Sequence, residues 1–237
     1  MRKSSLFTTW CLIPGLLLCF AANVRAEASG NTDLTPTELK WLRAGWPVLT
    51  YADQQHLPVD IVVQPRATAN DAPLAMGVSN GRCQLVLSMR GNPEAETILT
   101  TLPAELQTIA IEAMTAHELA HCWRYLNGSW HALPAGFVEV AQDADDQAEL
   151  LQAMRLTRRE EGFADLVGLA WTLREHPKQY AAIHTWFEQV RADQPVTGSF
   201  HDTRSWLQLA AKPTAFAVQG TPFEQARQLW SQGLLEQ

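Results

Sequence analysis

Apolar positions fall into three patterns along the chain. The first is a nearly continuous apolar stretch over residues 10–22, behind Arg2 and Lys3. The second begins at Thr35, where Thr35, Pro36 and Glu38 make a capping-box start with proline in the first turn, predicting a helix that carries Leu39, Trp41 and Leu42. β-Branched and aliphatic runs at 60–64 and 83–89 then read as strands, the latter entered from the turn residues Ser79-Asn80-Gly81. The third pattern starts at Pro103. Leu106, Ile109, Ala110, Ala113, Met114, His117, Ala120 and His121 recur at spacings of three and four, which predicts a long helix with one apolar side. A second long helix is predicted over 148–175, with Asn127-Gly128 and His176-Pro177 as stops, and shorter ones around 178–192, 203–211 and 222–235. No internal repeat interrupts this order. The expectation is an α+β, mainly helical fold: a small N-terminal sheet, a long central helix and a C-terminal helical part.

The leading apolar stretch is too short to span a bilayer comfortably and contains Pro14 and Gly15. It exits through Val24-Arg25-Ala26, so residues 1–26 read as a signal peptide. No small residue precedes Cys19, where Leu16, Leu17 and Leu18 stand, which argues against lipid attachment. Residues 27–34 are small and polar and read as a flexible linker; residues 35–237 suffice for a single domain. No later run approaches a membrane span, so a periplasmic or secreted protein without membrane insertion is expected. Setting aside Arg2, Lys3 and Arg25 takes the formal net charge from −7 to −10. Nucleic acid and anionic lipid are thereby excluded as expected partners. Beyond the leader only Cys83 and Cys122 remain. An oxidising compartment permits their pairing, but the sequence leaves a bridge and two buried thiols equally open. Asp143, Asp145 and Asp146 lack calcium-loop spacing and read as a solvated acidic loop.

The chemistry-bearing residues lie in the long helix, at His117-Glu118-Leu119-Ala120-His121. Four residues advance a helix by ~6 Å and slightly more than one rotation, so both imidazoles project from one face within reach of a single ion. Two neutral imidazole nitrogens suit zinc. Glu118 stands about 100° further round, placed to touch a water at the metal rather than to bind the metal itself. Given this composition, chance supplies such a match in roughly one chain in eighty, so a second element is needed. Glu161 and Asp165 provide it, again four apart on a predicted helix. Glu161 can complete the ligand set, and Asp165 can accept the other N–H of a ligand histidine. The competing reading is a surface acid beside the charged run Arg158, Arg159 and Glu160.

The combination of His-Glu-x-x-His and Glu-x-x-Ala-Asp over residues 103–175 resembles the gluzincin metallopeptidases, and the Ala164-Asp165 ending is similar to the branch of the CAAX prenyl endopeptidases and their bacterial relatives. The resemblance implies a zincin-like metallopeptidase domain with Zn2+ held by His117, His121 and Glu161, with Asp165 behind them. It departs from the membrane-embedded members in lacking spans after the leader. It also departs from the metzincins, which need Gly and His where Arg124 and Asn127 stand. Members of the branch tend to carry a downstream His and Arg, for which His201-Asp202-Thr203-Arg204 is the nearest match. His201 is thus a candidate donor to the oxyanion, with helix capping or a surface role as the alternative, and Arg204 reads as a salt-bridging surface residue. His56, His131, His176 and His184 have no mutual ligand spacing and read as structural or exposed.

The expected reaction is hydrolysis of peptide bonds, with Glu118 as general base and then proton donor to the leaving amine. Zincins usually align substrate along an edge strand, for which residues 83–89 are the expected candidate; a Cys83–Cys122 bridge would staple that strand beside the active-site helix. The alternative is a non-catalytic zinc-binding or interaction protein, which requires a fourth protein ligand. A peptide or protein substrate, cell-wall peptides included, is the expected partner. Cleavage preference and oligomeric state are not written in the sequence.

Overall fold

In the computed structural model, residues 33–67, 71–137, 146–192 and 198–236 are described. The expected signal peptide, most of the expected linker, and Asp143 and Asp145 of the acidic loop lie outside the described residues; Asp146 opens a helix. From Asp33 onward the chain forms one compact unit.

Helix α1 (Pro36–Gln54) starts as its sequence predicts. Thr35 Oγ1 accepts from the Glu38 amide at 3.2 Å, and Glu38 Oε2 accepts from the Thr35 amide at 2.7 Å. A mixed three-stranded sheet follows, made of β1 (Val59–Val63), β2 (Leu74–Ser79) and β3 (Arg82–Leu87) in the order β1-β3-β2. β2 and β3 form a hairpin through Asn80 and Gly81, at φ 51° and 73°. Two consecutive left-handed residues match the right-handed twist of the flanking strands. β1 pairs with β3 in parallel, so β3 is the central strand. The expectation that residues 83–89 offer a free edge is therefore corrected: both sides of β3 are hydrogen-bonded, and the edge beside the helices belongs to β2.

The remainder is helical: a short α2 (Glu94–Thr97), then α3 (Ala104–Leu126), α4 (Asp146–Glu175), α5 (Tyr180–Ala192), α6 (Arg204–Leu209) and α7 (Pro222–Gly233). α3 is the axis of the fold and packs against α1, α4, α5 and β2. It is buried on almost every side from Ile109 to Arg124, rather than along one stripe. Small residues at Ala110, Ala113, Ala116 and Ala120 make this packing feasible, because they let several neighbours approach one helix. α4 approaches closest at Gly168, where an added Cβ would lie 2.8 Å from the Ala113 carbonyl oxygen and 3.1 Å from Phe187 Cζ. At Gly162 an added Cβ would meet the fully buried Trp206 ring at 2.4 Å, so this glycine seats α6 against α4. Cys83 and Cys122, both fully buried, form a disulfide that joins β3 to α3. Among the described residues no helix is long and apolar enough to cross a membrane.

Candidate metal centre

His117, Glu118 and His121 lie in the fourth and fifth turns of α3, and Glu161 and Asp165 lie one turn apart on α4 beside it. Their ligand atoms converge. His117 Nε2 is 3.2 Å from His121 Nε2 and 3.4 Å from Glu161 Oε2, and His121 Nε2 is 3.3 Å from Glu161 Oε1. The three groups thus form a triangle with sides of 3.2–3.4 Å, in which each Glu161 carboxylate oxygen faces one imidazole. A tetrahedral ion with N and O donors at ~2.0–2.1 Å has donor–donor edges of roughly 3.3 Å. The three side chains are about nine-tenths buried, so the donors are already desolvated, and the set fits a metal ion.

The far side of His117 is equally defined. Its Nδ1 is 2.9 Å from Asp165 Oδ1, and Asp165 is completely buried. A carboxylate in that position fixes the proton on Nδ1 and leaves the Nε2 lone pair facing the triangle. Asp165 also accepts from Thr203 Oγ1 at 2.5 Å, and from Arg191 Nε at 2.8 Å and Nη2 at 2.7 Å. The same Nη2 reaches Glu161 Oε2 at 3.3 Å. Thr203 is the N-cap residue of α6, but its hydroxyl serves Asp165 and makes no cap bond. His121 has no comparable support: its buried Nδ1 lacks a partner among the described residues.

The charges describe what the triangle attracts. Burial pushes His117 down, yet the carboxylates of Glu161 and Asp165 outweigh it and lift its pKa to about 10. Burial raises Glu161 and Asp165, but the facing imidazoles and Arg191 hold both carboxyls well below their ordinary range. The centre thus demands positive charge between its carboxylates, which a proton on His117 or a metal ion can supply. Glu118 differs: burial dominates and pushes its carboxyl up, although His117 and His121 pull against it.

A cavity of about 330 Å³ opens over these residues. Trp41, Leu74, Met76, Ile98, Met114, Trp186, Phe187 and Val190 give it apolar walls, Glu118 and Arg191 line it beside the triangle, and Ala72, Trp130 and His201 are its exposed lining residues. Alternating ladder pairs bond Ala75 and Gly77 toward β3, so the backbone groups of Leu74, Met76 and Val78 on β2 point outward.

The structure brings together His117, Glu118, His121, Glu161, Asp165 and His201. His201 Nε2 is 3.8 Å from Glu161 Oε2, and partial desolvation at the cavity mouth lowers its pKa against the pull of the Glu161 charge. Arg204 instead pairs with Asp202 at 2.7 Å, away from the triangle. The competing reading of a surface acid beside a charged run does not match the structure, because Glu161 is about nine-tenths buried, Arg159 and Glu160 are buried too, and Glu160 accepts two bonds from Arg124 and one from the His131 amide. Of the other histidines, His176 bonds Glu112, His184 is buried against the Leu207 carbonyl, and His56 and His131 are exposed. Arg191 is the residue of this cluster that sequence reasoning missed. Its signal was an arginine in register with Ile183 and Phe187 on the buried face of α5. Searches against family models, curated proteins and solved structures returned no match for the chain.

Proposed function

We propose that the chain is a zinc-dependent peptidase of the zincin type, with His117, His121 and Glu161 as ligands and Glu118 as general base. The observation that carries this reading is the convergence of two imidazoles and the two oxygens of one carboxylate at 3.2–3.4 Å, with Glu118 on the wall of the same cavity. Two imidazoles and one carboxylate suit zinc. Bound there, zinc supplies Lewis acidity, acidifying water and polarising a carbonyl. The protein's own residues do the rest. Asp165 keeps the His117 Nε2 lone pair turned inward. Glu118, with its carboxyl pushed up by burial, takes the proton from the attacking water and returns it to the leaving amine. His201 stands close enough to the triangle to donate to the developing oxyanion. The outward backbone groups of β2 receive the peptide as an added strand, while the apolar walls take a bulky apolar side chain beside the scissile bond. A non-catalytic metal site would require a fourth protein ligand, whereas three come together among the described residues. The leader-like N-terminus and the Cys83–Cys122 bridge support a periplasmic or secreted setting.

The test is Glu118→Gln, which keeps size and hydrogen bonding but cannot accept the proton. Zinc content is expected to stay at one per chain, while hydrolysis of a peptide library falls ~10²–10⁴-fold. Glu161→Ala, in contrast, is expected to lose the metal. Zinc-dependent hydrolysis undiminished in the Gln variant would assign the base elsewhere, and a zinc-loaded wild type without hydrolysis would turn the reading to a structural site.

A further inference from the structure

Asp165 has about four lone-pair positions, and all four are used: one by His117, one by Thr203 and two by Arg191. Glu161 is held differently. Apart from the two ligand imidazoles, its one hydrogen-bond donor among the described residues is Arg191 Nη2. Glu161 and Asp165 are like charges one turn apart on α4, so without a bridge they repel and the longer Glu161 side chain swings free. The planar guanidinium of Arg191, about nine-tenths buried, spans both carboxylates from α5 with its Nε and Nη2 edge. Such a fork fixes two acceptors in one plane, which a lysine ammonium cannot do.

We propose that Arg191 is the positioning residue of this centre: by clamping Asp165 and Glu161 together it sets the orientation of His117 and the rotamer of Glu161, so that the triangle of donors exists before an ion arrives. The inference rests on reading that triangle as a metal site. A competing role exists, in which Arg191 is only a counter-charge to two buried acids. The two roles predict opposite signs. A cation 3.3 Å from a ligand oxygen repels an incoming metal ion, so a mere counter-charge weakens metal binding and its removal strengthens it. A positioning residue does the reverse.

The experiment is a zinc competition titration against a chromophoric chelator on the full folded chain, comparing wild type, Arg191→Lys and Arg191→Met, with circular dichroism and melting of the metal-free proteins in parallel. Arg191→Lys keeps the charge and loses the fork, and it is expected to weaken zinc binding ~10–100-fold. Arg191→Met is expected to weaken it at least as much. Combined with Asp165→Asn, Arg191→Lys should cost less than the product of the two single effects, because Arg191 acts through Asp165; a purely structural role would multiply. Wild-type affinity in the Lys variant, or tighter binding in the Met variant, overturns the proposal while leaving the metal site standing. If Met does not fold, Lys and the cycle with Asp165→Asn decide. A wild type that binds no zinc overturns both readings.

Discussion

Removing the Cys83–Cys122 bridge tests how the β2–β3 hairpin is fastened to the helix that carries the two histidines of the proposed metal site. The bridge closes a loop with a sequence separation of 39. Restricting a chain over that length lowers the entropy of the unfolded state by an amount worth about 4 kcal/mol at room temperature. Both cysteines are fully buried, so replacing them with alanine also forfeits packing around the lost sulfurs. For a domain of this size about 1 kcal/mol moves the midpoint by ~2–4 °C, so Cys83→Ala/Cys122→Ala should melt ~8–16 °C below the oxidised wild type. Urea unfolding followed by tryptophan fluorescence measures the difference, with both proteins held zinc-free to keep metal linkage out of the comparison. The urea m value should rise in the variant, because the unbridged unfolded chain exposes more surface. A loss below about 1 kcal/mol would refute the loop-closure argument. A loss of the expected size with an unchanged m value would move the effect from the unfolded state to native packing.

Two further outcomes are expected. Met76→Pro deletes an outward N–H of β2 without removing a ladder bond to β3, and compared with Met76→Ala it should lower kcat/KM for peptides by a further ~5–10-fold at unchanged zinc affinity, the worth of one hydrogen bond. Glu38 is held below its ordinary value near 4.5 by hydrogen bonds from Arg90, against its burial; its contribution is therefore full above about pH 4.5 and lost as pH falls through the folded value. The stability gap between wild type and Glu38→Gln in urea titrations should accordingly be about 1–3 kcal/mol near neutrality and shrink as the pH falls below the ordinary carboxyl range. A gap that widened on acidification would contradict the sign.

What was legible in the sequence is local. The capping box at Thr35, the stops after both long helices and the two-histidine spacing act within a few residues, and each holds in the structure. β2 was missed because Gly77 interrupts its pattern, although Asn80-Gly81 already implied a strand on either side of the turn. Long-range pairing was not legible. Nothing near Glu160 announces Arg124, which lies 36 residues away, and nothing near Asp165 announces Arg191, 26 residues away. A charged run in one dimension reads as solvated whatever its partners. For the same reason the sequence left the cysteines undecided, since pairing depends on a 5.7 Å Cα separation that only the fold sets.

Those long-range polar pairs explain why the donors meet at all. Apolar packing between two long helices specifies register poorly, because a slip of one turn replaces one set of small and apolar residues with another. α3 and α4 carry polar contacts along their whole antiparallel interface: Glu112 with Trp171, His117 with Asp165, Arg124 with Glu160, and the close approach of Gly168 to Ala113 between the first two. As one partner advances along α3 the other retreats along α4, so a single register satisfies all of them. A one-turn slip would strand Glu160, Asp165 and Arg124 in the interior without partners, at several kcal/mol for each orphaned charge. Buried ion pairs add little net stability over apolar residues of the same shape, but they penalise the wrong alignment heavily. In this protein the penalty has a chemical consequence. The register that closes Arg124 on Glu160 and His117 on Asp165 is the one that brings Glu161 to within 3.3–3.4 Å of both imidazoles, so the pins that align the helices also assemble the proposed metal-binding face.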